Sequence, residues 1–393
     1  MAAEGKTRRI YLDNAATSWP KPEAVYRAVE HVLRELGAPA GRSAYAEAVE
    51  VERLVSSARR RAAELLGAAN PRHIIFAANG TDALNLALWG LARPGDHFVT
   101  SVVEHNSVLR PLAEMEARLG VSVTRVDCDD RGVVDPADVR AAMRPNTRAV
   151  AIVHAANVTG AIQPVAEIGR LAHEAGALVV VDAAQTAGDL PLDVDRLGAD
   201  LLAAPGHKGL LGPLGTGILY IRPGVESHLQ TLRQGGTGTK SQSDRQPEEL
   251  PERFECGNLN VPGIVGLGAG IDYLLTHGVS EVRRHTEFLA GLLLSDLAEI
   301  PGVRVFGPAD AADRVGLVSF TVPGYDPQEV AALLDAQSRI AVRAGLHCAP
   351  LCHRRLGTID RGGTVRASFG PFNTSDDVEA LAAAVVGLAE AGV

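Results

Sequence analysis

Cysteine is scarce: four residues, at 128, 256, 348 and 352, in a chain of 393. That is too few for a disulfide framework, so a thiol here is a candidate for chemistry rather than for stapling. Basic residues are in deficit, 38 Lys and Arg against 47 Asp and Glu, and the net charge of −9 argues against a nucleic-acid partner. No apolar run approaches the ~20 residues needed to cross a bilayer, so no membrane role is expected. The opening stretch 1–9 is short and polar with no apolar signal core, and the expected location is the cytoplasm. Internal repeats, low-complexity tails and coiled-coil heptads are also missing. What remains is ordinary globular composition at a length that suits one large domain and one smaller one.

Short apolar runs alternate with longer amphipathic ones across 73–182. Ile74, Ile75 and Phe76 lead into Asn79-Gly80-Thr81-Asp82; His97, Phe98 and Val99 lead into Glu104-His105-Asn106. A third run, 149–153, precedes Asn157-Val158-Thr159-Gly160, and Val179, Val180 and Val181 end at Asp182. This alternation predicts an α/β fold with a mainly parallel sheet covered on both faces. Ligands of such sheets bind beyond the carboxyl ends of the strands, where Gly80, His105, Asn157 and Asp182 all fall. From about 280 the texture changes to helix, paired strands at 303–306 and 316–322, helix, strands at 340–342 and 365–368, and helix. The expected division is a large domain over 21–279 and a small α+β domain over 280–393, joined by the N-terminal segment 1–20. Two loops complete the outline, one around Asn14 and one holding Gly41-Arg42-Ser43.

Asp182 ends a buried strand, where an acid is costly unless it meets a cation or strong donors. Lys208 lies in the glycine-flanked turn Gly206-His207-Lys208-Gly209, placed for access more than for packing. Gly80-Thr81-Asp82 sits where a strand turns into a helix, and the free N–H groups of a helix start suit an anion. Each feature alone also reads as a cap, a strand end or a surface lysine. The run Gly266-Leu267-Gly268-Ala269-Gly270 lacks the preceding strand and spacing of a dinucleotide fingerprint and reads as close helix packing. His347, Cys348, Cys352 and His353 fit no common zinc spacing, so no metal is expected. Cys128 and Cys256 read as structural.

Taken together, Gly80-Thr81-Asp82, Glu104-His105, Asn157-Val158-Thr159-Gly160, Asp182-Ala183-Ala184-Gln185 and Gly206-His207-Lys208 resemble the class V aminotransferase family of pyridoxal-phosphate enzymes. Arg343-Ala344-Gly345-Leu346-His347-Cys348, with Arg366 and Asn373, resembles more narrowly the SufS-type cysteine desulfurases and selenocysteine lyases. The resemblance runs from Leu12 to Asn373 and implies the fold-type I architecture of aspartate aminotransferase. It implies pyridoxal 5′-phosphate in Schiff-base linkage to Lys208, with Asp182 on the ring nitrogen and His105 stacked on the ring. Asn157 and Gln185 would hydrogen-bond the phenolic oxygen. Gly80, Thr81, Asp82 and His207 would surround the phosphate. Arg366 would clamp the substrate carboxylate, with Asn14 and Arg343 contributing on that side.

Cys348 discriminates among activities. A desulfurase needs a thiolate that takes sulfur from cysteine as a persulfide and leaves alanine, and His347, Arg343 and His353 are the nearby candidates for positive surroundings. The implied substrate is L-cysteine or L-selenocysteine, with a sulfur-acceptor protein for iron–sulfur or thio-cofactor assembly, in a homodimer. Selenocysteine lyase, racemase and transaminase chemistry stay open as alternatives, as does a non-catalytic sulfur-relay protein. Three positions depart from the family pattern. Pro205 stands where a Ser or Thr is usual, Asn258 where a Thr often reaches the neighbouring subunit's phosphate, and Tyr45 where a His often follows the Gly-Arg-Ser loop. Thr237 or Thr239 could replace the donor at 258.

Overall fold

The computed structural model describes residues 8–41 and 43–392. Arg42 of the Gly41-Arg42-Ser43 loop, and residues 1–7 of the polar N-terminal stretch, lie outside the described residues. The chain enters through β1 (Ile10–Tyr11), α1 (Glu23–His31) and α2 (Ala46–Leu66). α1 continues as a wider turn, Val32–Leu36, and α2 ends at Gly67, whose φ of 69° suits a residue without a Cβ.

The strand–helix alternation follows as β2 (Ile74–Ala77), α3 (Gly80–Leu91), β3 (His97–Ser101), α4 (Asn106–Leu119), β4 (Ser122–Val126), α5 (Pro136–Ala142) and β5 (Thr147–Val153). It continues through α6 (Val165–Glu174), β6 (Leu178–Asp182), β7 (Leu201–Pro205) and β8 (Gly217–Ile221). These strands form one sheet in the order β2-β8-β7-β6-β5-β3-β4. From β7 to β4 every pairing is parallel; β8 runs antiparallel to both its neighbours. All five residues of β3, β7 and β8 are buried, as a sheet covered by helices on both faces requires. Two strands, β4 and β7, are absent from the sequence expectation. β7 reads Leu-Leu-Ala-Ala-Pro, with no β-branched residue, and is made a strand by pairing with β6 and β8 rather than by propensity. β4 is a half-buried edge strand.

α7 (Val261–His277) holds the glycine-rich run in its middle. A Cβ on Gly268 would lie 2.8 Å from that of Ala58 in α2, and one on Gly270 would lie 2.5 Å from the Leu210 carbonyl. The glycines therefore serve close approach of the helix to its neighbours, and nothing there resembles a strand-to-helix phosphate turn.

The remaining elements are α8 (Val279–Ala298), β9 (Arg304–Phe306), β10 (Leu317–Thr321), α9 (Pro327–Ser338), β11 (Ile340–Ala341), β12 (Arg343–Gly345), α10 (Pro350–Arg355), β13 (Thr364–Ser368) and α11 (Ser375–Ala391). β12-β13-β10-β9 is an antiparallel sheet, backed by a separate core that includes Leu293, Phe320, Val365 and Leu381. The strand expected at 340–342 is β11, which pairs in parallel with β1; β12, just beyond the expected range, is a further strand that joins β13. Leu12, fully buried, belongs to this second core, so the N-terminal segment packs with the C-terminal part of the chain. Truncating such a leucine to Ala typically costs about 2–5 kcal/mol.

Candidate active site

The carboxyl ends of β2, β3, β5, β6 and β7 face β12 and β13 across a cavity of about 220 Å³. Lys208 enters it from the turn after β7. That turn is bolted down by the N-terminal loop. The His207 carbonyl accepts from Ser18 N (3.0 Å), Thr17 Oγ1 (3.1 Å) and Lys21 Nζ (2.8 Å), and Ser18 Oγ donates to the Lys208 carbonyl (2.9 Å). Burial pushes the Lys208 amine down to about 8; Asp182 opposes this, and Arg366 and Arg343 reinforce it. Asp182, 3% exposed, accepts from Ala184 N at 2.9 Å. Burial raises its pKa, against that hydrogen bond and the attraction of Lys208.

Close enough to Asp182 to feel its charge is Glu104, next to His105 in the chain. Its carboxyl is fully buried, accepts from Ser101 Oγ (2.6 Å) and Val153 N (3.1 Å), and leaves Oε2 without a partner. Burial, with the Asp182 charge as a smaller contribution, pushes it up to about 8, so it is largely protonated at neutral pH.

At the opposite side, Asn79 caps α3 by accepting from Asp82 N (2.9 Å), leaving Gly80 and Thr81 in the first turn on the cavity wall. The Thr81 hydroxyl meets the Ser107 hydroxyl at 2.7 Å. Ser107 has no signal in the sequence beyond standing two places after His105; tertiary packing alone brings its hydroxyl here. His105 is the N-cap of α4, its Nδ1 accepting from Ser107 N at 3.0 Å. Burial, then Lys208, Arg343, Arg366 and Arg110, hold its pKa down at about 4, so the ring is neutral. His207 is likewise lowered to about 4 by burial, Lys208 and Lys21, with Nδ1 buried and unpartnered. Gln185 lines the cavity and donates to the Ala15 carbonyl at 3.2 Å.

The third wall carries the guanidinium of Arg366, from β13. Its Nη1 donates to the Asn157 carbonyl (2.9 Å), Nη2 to Asp13 (3.2 Å), and Nε is buried with no partner. Asp13, missed at the sequence level although next to Asn14, is thus the counter-charge of the one buried arginine lining the cavity. Asn157 donates through Nδ2 to the His347 carbonyl (2.6 Å), while its Oδ1 is buried without a partner.

Cys348 does not line the cavity; it is exposed at its edge, one residue beyond His347, which does. His347 and Cys348 are both left-handed, with φ of 46° and 59°. Non-glycine residues there cost on the order of 1–3 kcal/mol each and persist only where surroundings over-determine them. Here Asn106 N donates to the Cys348 carbonyl at 2.7 Å, and His347 Nε2 meets Thr364 Oγ1 at 3.1 Å. Arg343 Nη2 stands 4.0 Å from Cys348 Sγ. The expected positive surroundings are narrower than the sequence suggests: burial pushes His347 down to about 2 and His353 to about 4, so both rings are neutral and Arg343 is the cation beside the thiol.

Three further expected residues lie outside the cavity. Asp82 turns away, its carboxylate accepting from Ala78 N (2.9 Å) and pairing with Arg233 (3.2 Å), because it sits on the outer side of the first helical turn. Asn14 lines an adjoining space. It is spent on joining the N-terminal loop to β13 and to the loop before α11, donating to the Ser368 carbonyl (3.1 Å) and Asn373 Oδ1 (3.0 Å). Asn258 lines a separate surface pocket with Thr237 and Thr239. Cys352, 1% exposed, and Cys128 are buried, and burial raises both thiols. Among the described residues, no three His, Cys, Asp or Glu side chains group as a metal site, and no helix is long and apolar enough to cross a membrane.

A half-buried amine of lowered pKa, a strand-end acid and a helix start converging on one cavity define the class of site used by aldehyde-cofactor enzymes. The chain belongs to the aminotransferase class-V family, whose model matches residues 10–381; enzymes of this family depend on pyridoxal phosphate. More particularly, it is 39% identical over 376 residues to a probable cysteine desulfurase of Methanothermobacter thermautotrophicus, covering 95% of this chain and 92% of that protein. It is 33% identical over 386 residues to the cysteine desulfurase of Haloferax volcanii, covering 96% and 89%. The apo structure of a cysteine desulfurase from Thermococcus onnurineus NA1 superposes with a TM-score of 0.91 at 35% identity, over 98% of this chain and 95% of that one. The cysteine desulfurase CsdA of Escherichia coli gives 0.88 at 32%, over 98% and 96%. The shared fold is pyridoxal-phosphate fold type I, as the sequence resemblance implies.

Proposed function

We propose that this chain is a pyridoxal-phosphate-dependent cysteine desulfurase that moves the sulfur of L-cysteine onto Cys348 and releases L-alanine. The observation that carries the reading is the position of Cys348: an exposed thiol on a strained turn at the edge of a cavity that holds Lys208, Asp182 and Arg366. A transaminase or racemase has no use for a thiol there.

The cavity fits the cofactor. Lys208 supplies an amine whose lowered pKa leaves a usable neutral fraction at physiological pH. Asp182, short of donors, gains a cationic partner when a protonated ring nitrogen lies against it. The α3 start with the Thr81 and Ser107 hydroxyls forms a phosphate cradle, and Ser107 makes up for the hydroxyl that Pro205 cannot provide. Bound there, the cofactor acts as an electron sink for negative charge at the substrate Cα.

The chain's own residues do the rest. Arg366 offers its free Nε–H to a substrate carboxylate, while Asp13 and the Asn157 carbonyl fix the plane of the fork. Lys208 takes the Cα proton and holds it inside the cavity. Neutral His105 presents a ring face without adding charge. Cys348, as thiolate beside Arg343, attacks the substrate sulfur: an S–S bond forms as the Cβ–S bond breaks, the electron pair released to Cβ takes up a proton equivalent to the one lost by the Cys348 thiol, and Lys208 returns its proton to Cα, giving alanine. No external oxidant enters; the sulfane sulfur leaves later to an acceptor thiol. The reading includes a homodimer in which Asn258, with Thr237 and Thr239, faces the second subunit's phosphate site, and cytoplasmic placement.

The test is incubation with L-cysteine while alanine and sulfide are measured together and mass spectrometry follows Cys348 for a +32 Da sulfur adduct (about the mass of one sulfur atom). Alanine without adduct or sulfide sinks the assignment.

A further inference from the structure

We propose that Asn157 is a positioning residue for Cys348: its side-chain amide latches the cysteine turn onto the wall of the cofactor cavity. The consequence for sulfur transfer rests on the desulfurase reading above; the latch itself does not.

Four observations meet at this residue. Its Nδ2 donates to the His347 carbonyl at 2.6 Å, across a sequence gap of 190 residues. The turn it holds consists of two consecutive left-handed non-glycine residues, which relax unless something outside the turn holds them. Inside the turn the Ala349 N to Leu346 carbonyl bond at 2.9 Å closes the loop, and Asn106 N on the Cys348 carbonyl at 2.7 Å is a backbone tie to the large-sheet side. Asn157 is in turn buried and held on both sides. Its carbonyl accepts from Arg366 Nη1 at 2.9 Å, and the loop around it is closed by Ala156 N to the Ala161 carbonyl (3.0 Å) and Gly160 N to the Ala156 carbonyl (2.8 Å). One rigid loop therefore fixes the carboxylate-binding arginine and the sulfur-accepting turn together. Moving a nucleophile by about 1 Å can cost on the order of 100-fold in rate, which is the scale on which such a latch matters.

The test variants are N157D, nearly isosteric but with an oxygen facing the His347 carbonyl, and N157A. Both are studied as the cofactor-loaded full chain, with loading checked by absorbance. Hydrogen–deuterium exchange of the Ala349 amide is expected to rise at least tenfold in both, with strands β5 and β6 exchanging as in the wild type. Unchanged protection at Ala349 overturns the proposal, and so does faster exchange spread equally over β5 and β6, which would be general loosening. With L-cysteine in D₂O, the ratio of alanine formed to deuterium gained at Cα of recovered cysteine is expected to drop about tenfold, since proton removal needs Lys208 but not the thiol. A drop of equal size in both, leaving the ratio unchanged, would mean that Asn157 acts on the cofactor alone and overturns the latch. Wild-type enzyme forming no alanine would instead defeat the desulfurase reading, and the exchange experiment would still decide the latch.

Discussion

The two groups to which the proposed function gives the chemistry, one inside the cavity and one at its edge, are mounted in opposite ways. Lys208 is half-buried on the cavity wall, follows a fully buried strand, and its turn is held by five hydrogen bonds from the N-terminal loop. Cys348 is exposed, follows a three-residue strand of the other sheet, and sits in a left-handed turn held by few bonds. The difference matches their tasks. An amine must lose part of its solvation to be neutral near pH 8, and that needs a rigid mount. A thiol that collects sulfur inside and delivers it outside has to be reachable from both sides, and exposure limits how much packing can hold it. Strain and a few aimed hydrogen bonds take the place of burial.

Several variants bear on this contrast, starting with the most severe. Lys208→Ala should lower alanine formation from cysteine by at least ~10³-fold and abolish the visible absorbance of the reconstituted protein; retained turnover would break the comparison at its buried end. Cys348→Ala should cost about 100-fold in desulfuration while deuterium still washes into Cα of cysteine, showing that the exposed mount serves only the sulfur step. Arg366→Lys keeps the charge but loses the planar fork; kcat/KM for cysteine should fall about 10- to 100-fold, mostly through KM.

Two pH experiments sharpen the buried side. Cofactor capture requires the neutral Lys208 amine, whose pKa lies at about 8, so the association rate should rise about tenfold per pH unit from 6 towards 8 and level off above it. A plateau already reached at pH 6.5, or a rise continuing to 10, would contradict the lowered amine. Glu104 has the opposite sign. Its folded pKa is raised to about 8 from an ordinary 4.5, so the folded state holds a proton that the unfolded state has lost, and its contribution declines as pH rises through that window. Thermal stability of the wild type should therefore drop from pH 5 to 8 more than that of Glu104→Gln. Parallel melting curves for the two proteins would show that Glu104 is ionised in the fold.

Much of the site is legible along the chain because strand-end residues of a parallel sheet all arrive at the same edge. Once the valines before Asp182 and the turn at Lys208 are read as strand ends, Gly80, His105 and Asn157 must be neighbours. Pairings between distant loops carry no such signal. Ser107 against Thr81, Asp13 against Arg366, and the Asn157 amide on the His347 carbonyl are each chosen by packing across 26, 353 and 190 positions. β7 escapes for a related reason: Leu-Leu-Ala-Ala-Pro has no strand preference of its own until β6 and β8 flank it.

By itself, then, the order of residues pointed to the alternating α/β pattern and to Asp182 and Lys208 as strand-end and turn candidates, because periodicity and residue chemistry are local properties; Arg366 and Cys348 were marked only by the resemblance to a family. Tertiary structure alone decided that His347 and His353 are neutral, that Arg343 is the cation beside the thiol, and that the cysteine turn hangs on Asn157. Charge state and position depend on what surrounds a group, and those surroundings come from parts of the chain that meet only after folding.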